Sequence, residues 1–292
     1  MSKTISLKRL SRKLLSIISF YSGYCAIYGT LKLNHGVRIL CFHGVSDNPT
    51  NPYAVSTSDF SKQMQYLSEN YKIVSLDQLV QKIQNQEPLN FHMVAVSFDD
   101  GYEDFYTVAF PILRRYGISA TVFLPTGSID ENSQGKQVLP QGEFLSWNQI
   151  REMQRNGIDF GSHTVSHTSL IKLPWDEIQR ELLESKSRIE AEIGVTFPGF
   201  AYPYGTFRDI DVKIGKLIAS SGYSWAVTSV SGVNKKGADV FALRRTVVEG
   251  DDGLSGFKRS LKGALDGWIV MQRLGYYIKG KPKHQSHGNA PI

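Results

Sequence analysis

The chain has 292 residues, 41% of them hydrophobic, and a net charge of +6 that is concentrated at its two ends. Residues 1–46 contain seven Lys or Arg and no Asp or Glu, whereas residues 47–253 contain more acidic than basic residues. This distribution argues against a nucleic-acid-binding groove across the core and favours a surface patch that could contact an anionic membrane. The two cysteines, Cys25 and Cys41, lie in apolar surroundings and are interpreted as buried thiols.

The first 34 residues predict a basic amphipathic helix. Apolar residues between Leu7 and Leu31 recur every three or four positions and so form one stripe along a helix. A basic start followed by an uncharged run is also typical of a signal peptide or a membrane anchor. Serines and glycines in the run, and the lack of a convincing cleavage site, favour a helix docked on the protein or on a membrane surface. Cytoplasmic, membrane-associated and cell-envelope locations therefore all stay open.

Short apolar runs alternate with helical stretches after the N-terminal segment, and no internal repeat is found. The predicted strands cover residues 37–42, 92–98, 119–124, 158–162, 199–203, 223–228 and 241–248. The predicted helices cover residues 58–70, 76–84, 104–116, 147–156, 174–193, 209–221 and 256–278. Repeated strand–helix units with nearly continuous apolar strands indicate a parallel α/β sheet, and about seven units predict a closed or nearly closed barrel.

The expected organisation has four segments. A basic amphipathic helix occupies residues 1–34, the barrel residues 35–250, a C-terminal helix residues 251–280 and a flexible tail residues 281–292.

Polar residues stand at the predicted C-terminal ends of several strands, which is where barrels of this kind carry their chemistry. His43 ends the first strand, and Asp99 and Asp100 follow the second. In the stretch GSHTVSH, His163 and His167 lie four positions apart. On a helical turn, or on a loop that enters one, this spacing brings both imidazoles to one side. Two histidines and one aspartate with open positions form a site for zinc or a comparable first-row divalent ion.

The adjacent carboxylates suggest two different tasks. One of them can bind a divalent ion while its neighbour accepts a proton from water, which is a division that suits hydrolysis. Gly101 would allow Asp100 to turn inward at the end of the strand. The alternative is that Asp99 and Asp100 only cap the helix that follows, although capping needs one side chain and not two.

Three motifs resemble those of the polysaccharide deacetylases, carbohydrate esterase family 4. They are SFDDG at 97–101, HTVSH at 163–167 and AYPYG at 201–205, and the resemblance spans about residues 37–248. It implies a distorted (β/α)7-type barrel with added N- and C-terminal helices. It also implies a hydrolase that uses a divalent metal, with zinc as the expected ion, to remove N- or O-acetyl groups from sugars.

The same motifs imply a role for each matching residue. Asp99 would be the general base, and Tyr204 would offer its backbone N–H to the oxyanion. The metal ligands would be Asp100, His163 and His167. An acetylated glycan is the expected partner, and no nucleic acid is expected.

Two features found in many family members are absent from this sequence. The third motif lacks its initial Arg, because residues 200–205 read FAYPYG, and no histidine follows the late strand until His284. A branch that acts on exopolysaccharides rich in N-acetylglucosamine combines FAYPYG with an early strand ending in a histidine. CFHGV at 41–45 is similar, which makes His43 the candidate general acid, with a core histidine as the alternative.

Arg244 and Arg245 follow the late predicted strand and have no assigned role. Either could contact a sugar, pair with Asp99 in place of the missing Arg, or form an ordinary ion pair.

The expected activity is therefore removal of acetyl groups, most readily N-acetyl, from a polysaccharide or a lipid-linked oligosaccharide. A non-catalytic glycan-binding relative is the alternative, because the usual Arg and late His are missing. A glycoside hydrolase is disfavoured, since its two carboxylates must flank the bond and usually come from separate strands. The basic N-terminal helix and the predicted helix at 256–278 could contact an anionic membrane from one side.

Overall fold

The computed structural model of the protein describes residues 7–23, 25, 36–47, 53–129, 143–195 and 198–280. The predicted N-terminal helix is thus described in part, and the predicted tail at 281–292 lies outside the described residues. Within these ranges, no helix has both the length and the apolar character needed to cross a membrane.

A curled sheet forms the centre of the molecule. Its strands are β1 Arg38–Phe42, β2 Lys72–Ile73, β3 Met93–Phe98, β4 Thr121–Leu124, β5 Asp159–Ser162, β6 Gly199–Ala201, β7 Trp225–Val227 and β8 Thr246–Val247. The order is β7-β6-β5-β4-β3-β1-β8, with β2 paired to β3, and each of these described pairs is parallel. A parallel bridge between Val227 and Leu243 brings the two edges of the sheet together. The predicted distorted (β/α)7-type barrel is confirmed.

Helices cover the outside of the sheet. They are α1 Leu7–Tyr21, α2 Thr57–Asn70, α3 Leu76–Gln84, α4 Phe110–Tyr116, α5 Trp147–Arg155, α6 Trp175–Ile193, α7 Val212–Ser220, α8 Gly253–Leu261 and α9 Trp268–Lys279. A π-helical turn at Phe105–Ala109 leads into α4, and a short 3-10 helix spans Leu170–Lys172. Helices therefore stand at both ends of the chain as additions to the barrel.

The last two predicted elements differ most from the observed ones, and β2 was not predicted. The single helix predicted at 256–278 is in fact two helices, α8 and α9, and Gly263 lies in the break with a φ of +92° that α-helices do not adopt. The strand predicted at 241–248 shortens to β8. Before β8, the Asn234 side chain bonds both to the N–H and to the C=O of Arg244, so these backbone groups do not pair with a neighbouring strand.

Alternate residues of the strands face opposite sides of the sheet, as strand geometry requires. On β3, Ala95 belongs to the cluster inside the barrel, together with Phe123 of β4, Trp225 of β7 and Leu243, which precedes β8. Val94, Val96 and Phe98 instead pack outward against the helices. This alternation continues past the end of β3 and decides which side chains reach the barrel mouth.

Candidate active site

The two aspartates after β3 reach the same side of the sheet by a turn in the backbone. Asp99 continues the alternation of Ala95 and Ser97 and so faces the interior, and its N–H donates to the Phe42 carbonyl at 3.0 Å. Asp100 would face outward, but its φ of +75° and the +63° of Gly101 turn the chain. A Cβ at position 101 would also lie 2.9 Å from a methyl carbon of Leu124. Both carboxylates are consequently buried at one mouth.

Asp100, His163 and His167 form a compact group in which the potential ligand atoms all lie within 4.8 Å of one another. The Asp100 Oδ1 atom is 3.6 Å from His163 Nε2 and 3.2 Å from His167 Nε2. His163 Nδ1 lies 2.8 Å from the Ala201 carbonyl, which orients the ring and leaves Nε2 facing the group. Two imidazole nitrogens and a carboxylate oxygen suit zinc or a related divalent ion.

Burial determines the protonation of this group. It lowers the pKa of His163 to about 4, against the opposing effect of the Asp99 charge. His163 is therefore neutral near neutral pH, which is the form that binds a metal. The Nδ1 atom of His167 is buried without a hydrogen-bond partner among the described residues. A donor set of this kind fits a bound cation better than it fits a closed hydrogen-bond network.

The segment that carries the two histidines is a loop and not a helical turn. Thr164 and His167 have positive φ angles of 69° and 56°, and the Thr164 hydroxyl accepts a hydrogen bond from the His167 N–H at 3.0 Å. The buried carboxylate of Glu181, on α6, accepts the N–H groups of Val165 and Ser166 at 2.7 and 2.9 Å. Glu181 thus holds the middle of the loop in place through its hydrogen bonds from α6.

Sequence analysis missed Glu181, although a signal for it exists. The residue lies on the buried face of α6, together with Ile178, Leu182, Ser185 and Ile189. A carboxylate on the apolar face of a helix needs a partner, and the loop backbone supplies one.

Arg245 is the partner of Asp99. Its side chain is fully buried and donates two parallel hydrogen bonds to the Asp99 carboxylate, at 2.7 and 2.6 Å. Further donors of the guanidinium reach the Thr228 carbonyl at 2.8 Å and the Ser97 hydroxyl at 3.3 Å. Burial alone would raise the pKa of Asp99, but the Arg245 charge outweighs it and holds that pKa well below its usual range. Asp99 is accordingly ionised.

Arg244 does not share this role. Its backbone pairs with Asn234, and its side chain lies against Gly232. Of the alternatives left open by the sequence, pairing with Asp99 is thus realised by Arg245.

A second group of potential ligand atoms consists of Cys41, His43 and Asp99. The Cys41 thiol is buried and lies 3.4 Å from Asp99 Oδ2 as a weak donor, and burial raises its pKa well above the ordinary value. A neutral thiol, together with a carboxylate already neutralised by Arg245, does not favour a cation. The group with Asp100 is therefore the candidate metal site. Cys25, in contrast to the prediction, is only half-buried.

His43 lies at the mouth directly after β1. Its ring stacks on Tyr53 with the centroids 5.0 Å apart, and its Nδ1 atom is buried without a hydrogen-bond partner among the described residues. A histidine of the core would have hydrogen-bond partners for both ring nitrogens, so this environment fits a histidine that acts at the barrel mouth.

The aromatic residues that might have bound sugar rings separate into two groups by exposure. Tyr102, Trp147, Tyr202 and Trp225 are buried. Tyr204 has a φ of +62° and 56% exposure, and its ring centroid lies 5.2 Å from that of His167. Tyr204 is thus the one aromatic of the five with its side chain at the open surface, beside the metal-site candidate.

Residues 86–224 match the family model for polysaccharide deacetylases. The chain therefore contains a polysaccharide deacetylase domain. This stretch contains the paired aspartates, the two histidines and Tyr204. This domain identifies the chain as a carbohydrate deacetylase, a hydrolase.

Individual relatives agree with this family. YxkH of Bacillus subtilis (strain 168), named for a polysaccharide deacetylase, is 28% identical over 219 residues, 75% of this chain and 72% of that protein. A poly-β-1,6-N-acetyl-D-glucosamine N-deacetylase of Staphylococcus epidermidis is 28% identical over 209 residues, 68% of this chain and 69% of that protein. The solved structure of IcaB from Ammonifex degensii is 25% identical with a TM-score of 0.68, and the match covers 79% of this chain and 97% of that one.

Proposed function

We propose that this protein is a metal-dependent N-deacetylase acting on a glycan of N-acetylglucosamine, as a polysaccharide or a lipid-linked oligosaccharide. The observation that carries the proposal is the pairing, at one mouth, of an ionised Asp99 with the donor group of Asp100, His163 and His167. The name of the Staphylococcus epidermidis relative supports β-1,6-linked N-acetylglucosamine as the substrate. In this proposal residues 35–250 are the catalytic barrel, and residues 1–34 and 251–280 are additions to it.

Asp100, His163 and His167 would hold the divalent ion, for which zinc is our candidate. Bound there, it would polarise the acetyl carbonyl and lower the pKa of a nearby water. The second ring nitrogen of His163 is already bonded to the Ala201 carbonyl, so the ligand nitrogen is oriented before the ion arrives.

The remaining residues move protons and stabilise charge. Asp99 would accept the proton of the attacking water, since Arg245 keeps the carboxylate ionised. The Tyr204 N–H would donate to the negative oxygen that forms on the acetyl carbon. His43 would donate a proton to the departing amine of the sugar.

The alternative is a glycan-binding protein without catalysis, which the missing family Arg and the missing late His suggest. Arg245 weakens that argument, because it supplies Asp99 with a guanidinium from the residue just before β8. In this proposal Arg245 takes the place of the Arg that is missing from the third motif.

Acetate release from β-1,6-linked N-acetylglucosamine oligomers tests the proposal. The full chain should release acetate, and stripping with a chelator should lower the rate by about 100-fold or more. Zinc, cobalt, nickel and manganese would then be added back singly to identify the ion. Glycan binding without acetate release would favour the binding protein, and acetate release that resists chelation would refute the metal role.

Replacing Glu181 by Ala is expected to weaken retention of the ion. The change frees the Val165 and Ser166 N–H groups and loosens the loop that carries His163 and His167. Losses of outer-shell support commonly cost about 10- to 100-fold in metal affinity. The measurement is bound metal per chain after dialysis against buffers of graded chelator concentration.

Two variants serve as controls for this measurement. Glu181→Gln keeps an oxygen acceptor and should retain most of the affinity, while Glu184→Ala removes an exposed glutamate of the same helix and should change nothing. Wild-type metal affinity in Glu181→Ala would contradict the assigned support.

A further inference from the structure

Helix α1 packs on the barrel through its polar side. Arg12 is buried and bonds to Asp252 at 2.9 Å and to the Val247 carbonyl at 2.7 Å. Arg9 lies 3.5 Å from Glu249, and the buried Ser16 accepts from the Arg259 guanidinium at 3.3 Å. Ion pairs and hydrogen bonds, and not apolar packing, thus dominate the inner face of this helix.

The outer face of α1 is apolar. Five large hydrophobic side chains on it are 46–79% exposed: Leu7, Leu10, Leu14, Ile18 and Tyr21. Their spacing of three or four residues places them in one row, the α1 stripe. A helix that only stabilised the barrel would bury such a row, since its burial is the main favourable contribution to packing. The α1 stripe is instead presented to whatever lies outside the protein.

The charges around the α1 stripe indicate the nature of that partner. Exposed Lys13 lies on α1 itself, and exposed Lys262, directly after α8, lies 5.7 Å from the ring centroid of Phe20. Residues 253–279 contain five Lys or Arg and one acidic residue, Asp266. That carboxylate is 2.7 Å from Arg38 and so is already neutralised. An apolar row with a basic border is the pattern of a helix that lies in an anionic lipid interface.

Helix α9 has the same character. Its large hydrophobic residues Val270, Met271, Leu274, Tyr277 and Ile278 are 46–75% exposed. Basic Arg273 and Lys279 accompany them on the exposed surface.

We propose that α1 lies in the interface of an anionic lipid bilayer, with the α1 stripe inserted and with Arg9 and Arg12 holding the barrel to the helix. The mouth is then close to the lipid surface. The Arg9 guanidinium lies 5.4 Å from the ring centroid of Tyr53, and that ring stacks on His43. This attachment is independent of the reaction assigned to the site.

Co-sedimentation of the full chain with lipid vesicles tests the attachment. The wild-type protein should pellet with phosphatidylglycerol vesicles, less with phosphatidylcholine vesicles, and less again at high salt. The double variant Leu14→Asp with Ile18→Asp should lower the partition coefficient by about tenfold or more, because two apolar contacts with the bilayer become charged.

A matched control keeps the result specific to α1. Leu183→Asp with Val195→Asp alters two residues that are also exposed but lie on or near α6, and this variant should bind vesicles like the wild type. Circular dichroism and light scattering report folding and oligomeric state for all proteins. Equal binding of the α1 variant and the wild type would overturn the proposal. So would a wild-type dimer that the α1 variant converts to a monomer, because the stripe would then cover a second copy.

Discussion

Substituting Arg245 by Met is expected to lower acetate release by about 10²- to 10⁴-fold and the free energy of unfolding by about 3–5 kcal/mol. The substitution leaves the Asp99 carboxylate buried without the guanidinium that donates two hydrogen bonds to it. Burial then dominates and raises the pKa of Asp99, so the residue is protonated and cannot accept a proton. The acidic limb of the pH–rate profile should therefore move to higher pH.

Neighbouring substitutions separate this effect from general damage. Arg244→Met alters the adjacent side chain, which lies against Gly232 and not against Asp99, and should keep the wild-type pH profile. Arg245→Lys retains the charge but loses the two-pronged geometry, so it should lie between Met and wild type in both rate and stability. Denaturant unfolding gives the stability, and acetate release across pH gives the profile. An unchanged profile in Arg245→Met would refute the dependence of Asp99 on this arginine.

Replacing His43 by Ala is expected to lower turnover on the glycan by about 10²- to 10⁴-fold while the bound metal per chain stays unchanged. The imidazole stacks on Tyr53 at the mouth, outside the group that is proposed to bind the ion. A proton donor matters most when the leaving group is basic. The loss should therefore be much smaller on 4-nitrophenyl acetate, whose phenolate leaves without protonation.

The contrast between the two substrates is the decisive measurement for His43. His92→Ala, which removes an exposed histidine ahead of β3, is the matched control and should behave like the wild type on both substrates. If the His43 variant lost metal, or lost both activities equally, the residue would be a ligand or a structural element and not the acid.

The sequence was most informative at the strand ends. Apolar runs located β1 and β3 to within a residue, and the polar residues that follow them, His43, Asp99 and Asp100, meet at one mouth. The choice between Arg244 and Arg245 could not be made in the same way. Arg245 lies 146 positions from Asp99, and β8 is only two residues long. Which of the two arginines faces inward follows only from Leu243. That residue lies inside the barrel, and in an extended segment residue 245 points to the same side as residue 243.

The backbone of the site was even less predictable. Five described residues other than glycine have positive φ angles, and four of them are Asp100, Thr164, His167 and Tyr204. Thr and Tyr do not favour this conformation, so the identity of Thr164 and Tyr204 gives no sign of it. Such strain persists only where surrounding contacts impose it, as Glu181 does for the histidine loop. Sequence patterns located the functional groups, whereas their orientation depends on contacts between distant segments.

The ion pair between Arg12 and Asp252 joins residues 240 positions apart. At a synthesis rate of about 5–20 residues per second, roughly 10–50 s separate the emergence of these two residues from the ribosome. Throughout that interval α1 has no barrel to dock on, and its hydrophobic row is free to enter lipid first. The nascent chain would then fold while already bound to lipid. Arg9 and Arg12 would form their ion pairs with Glu249 and Asp252 only once the end of the barrel has been synthesised.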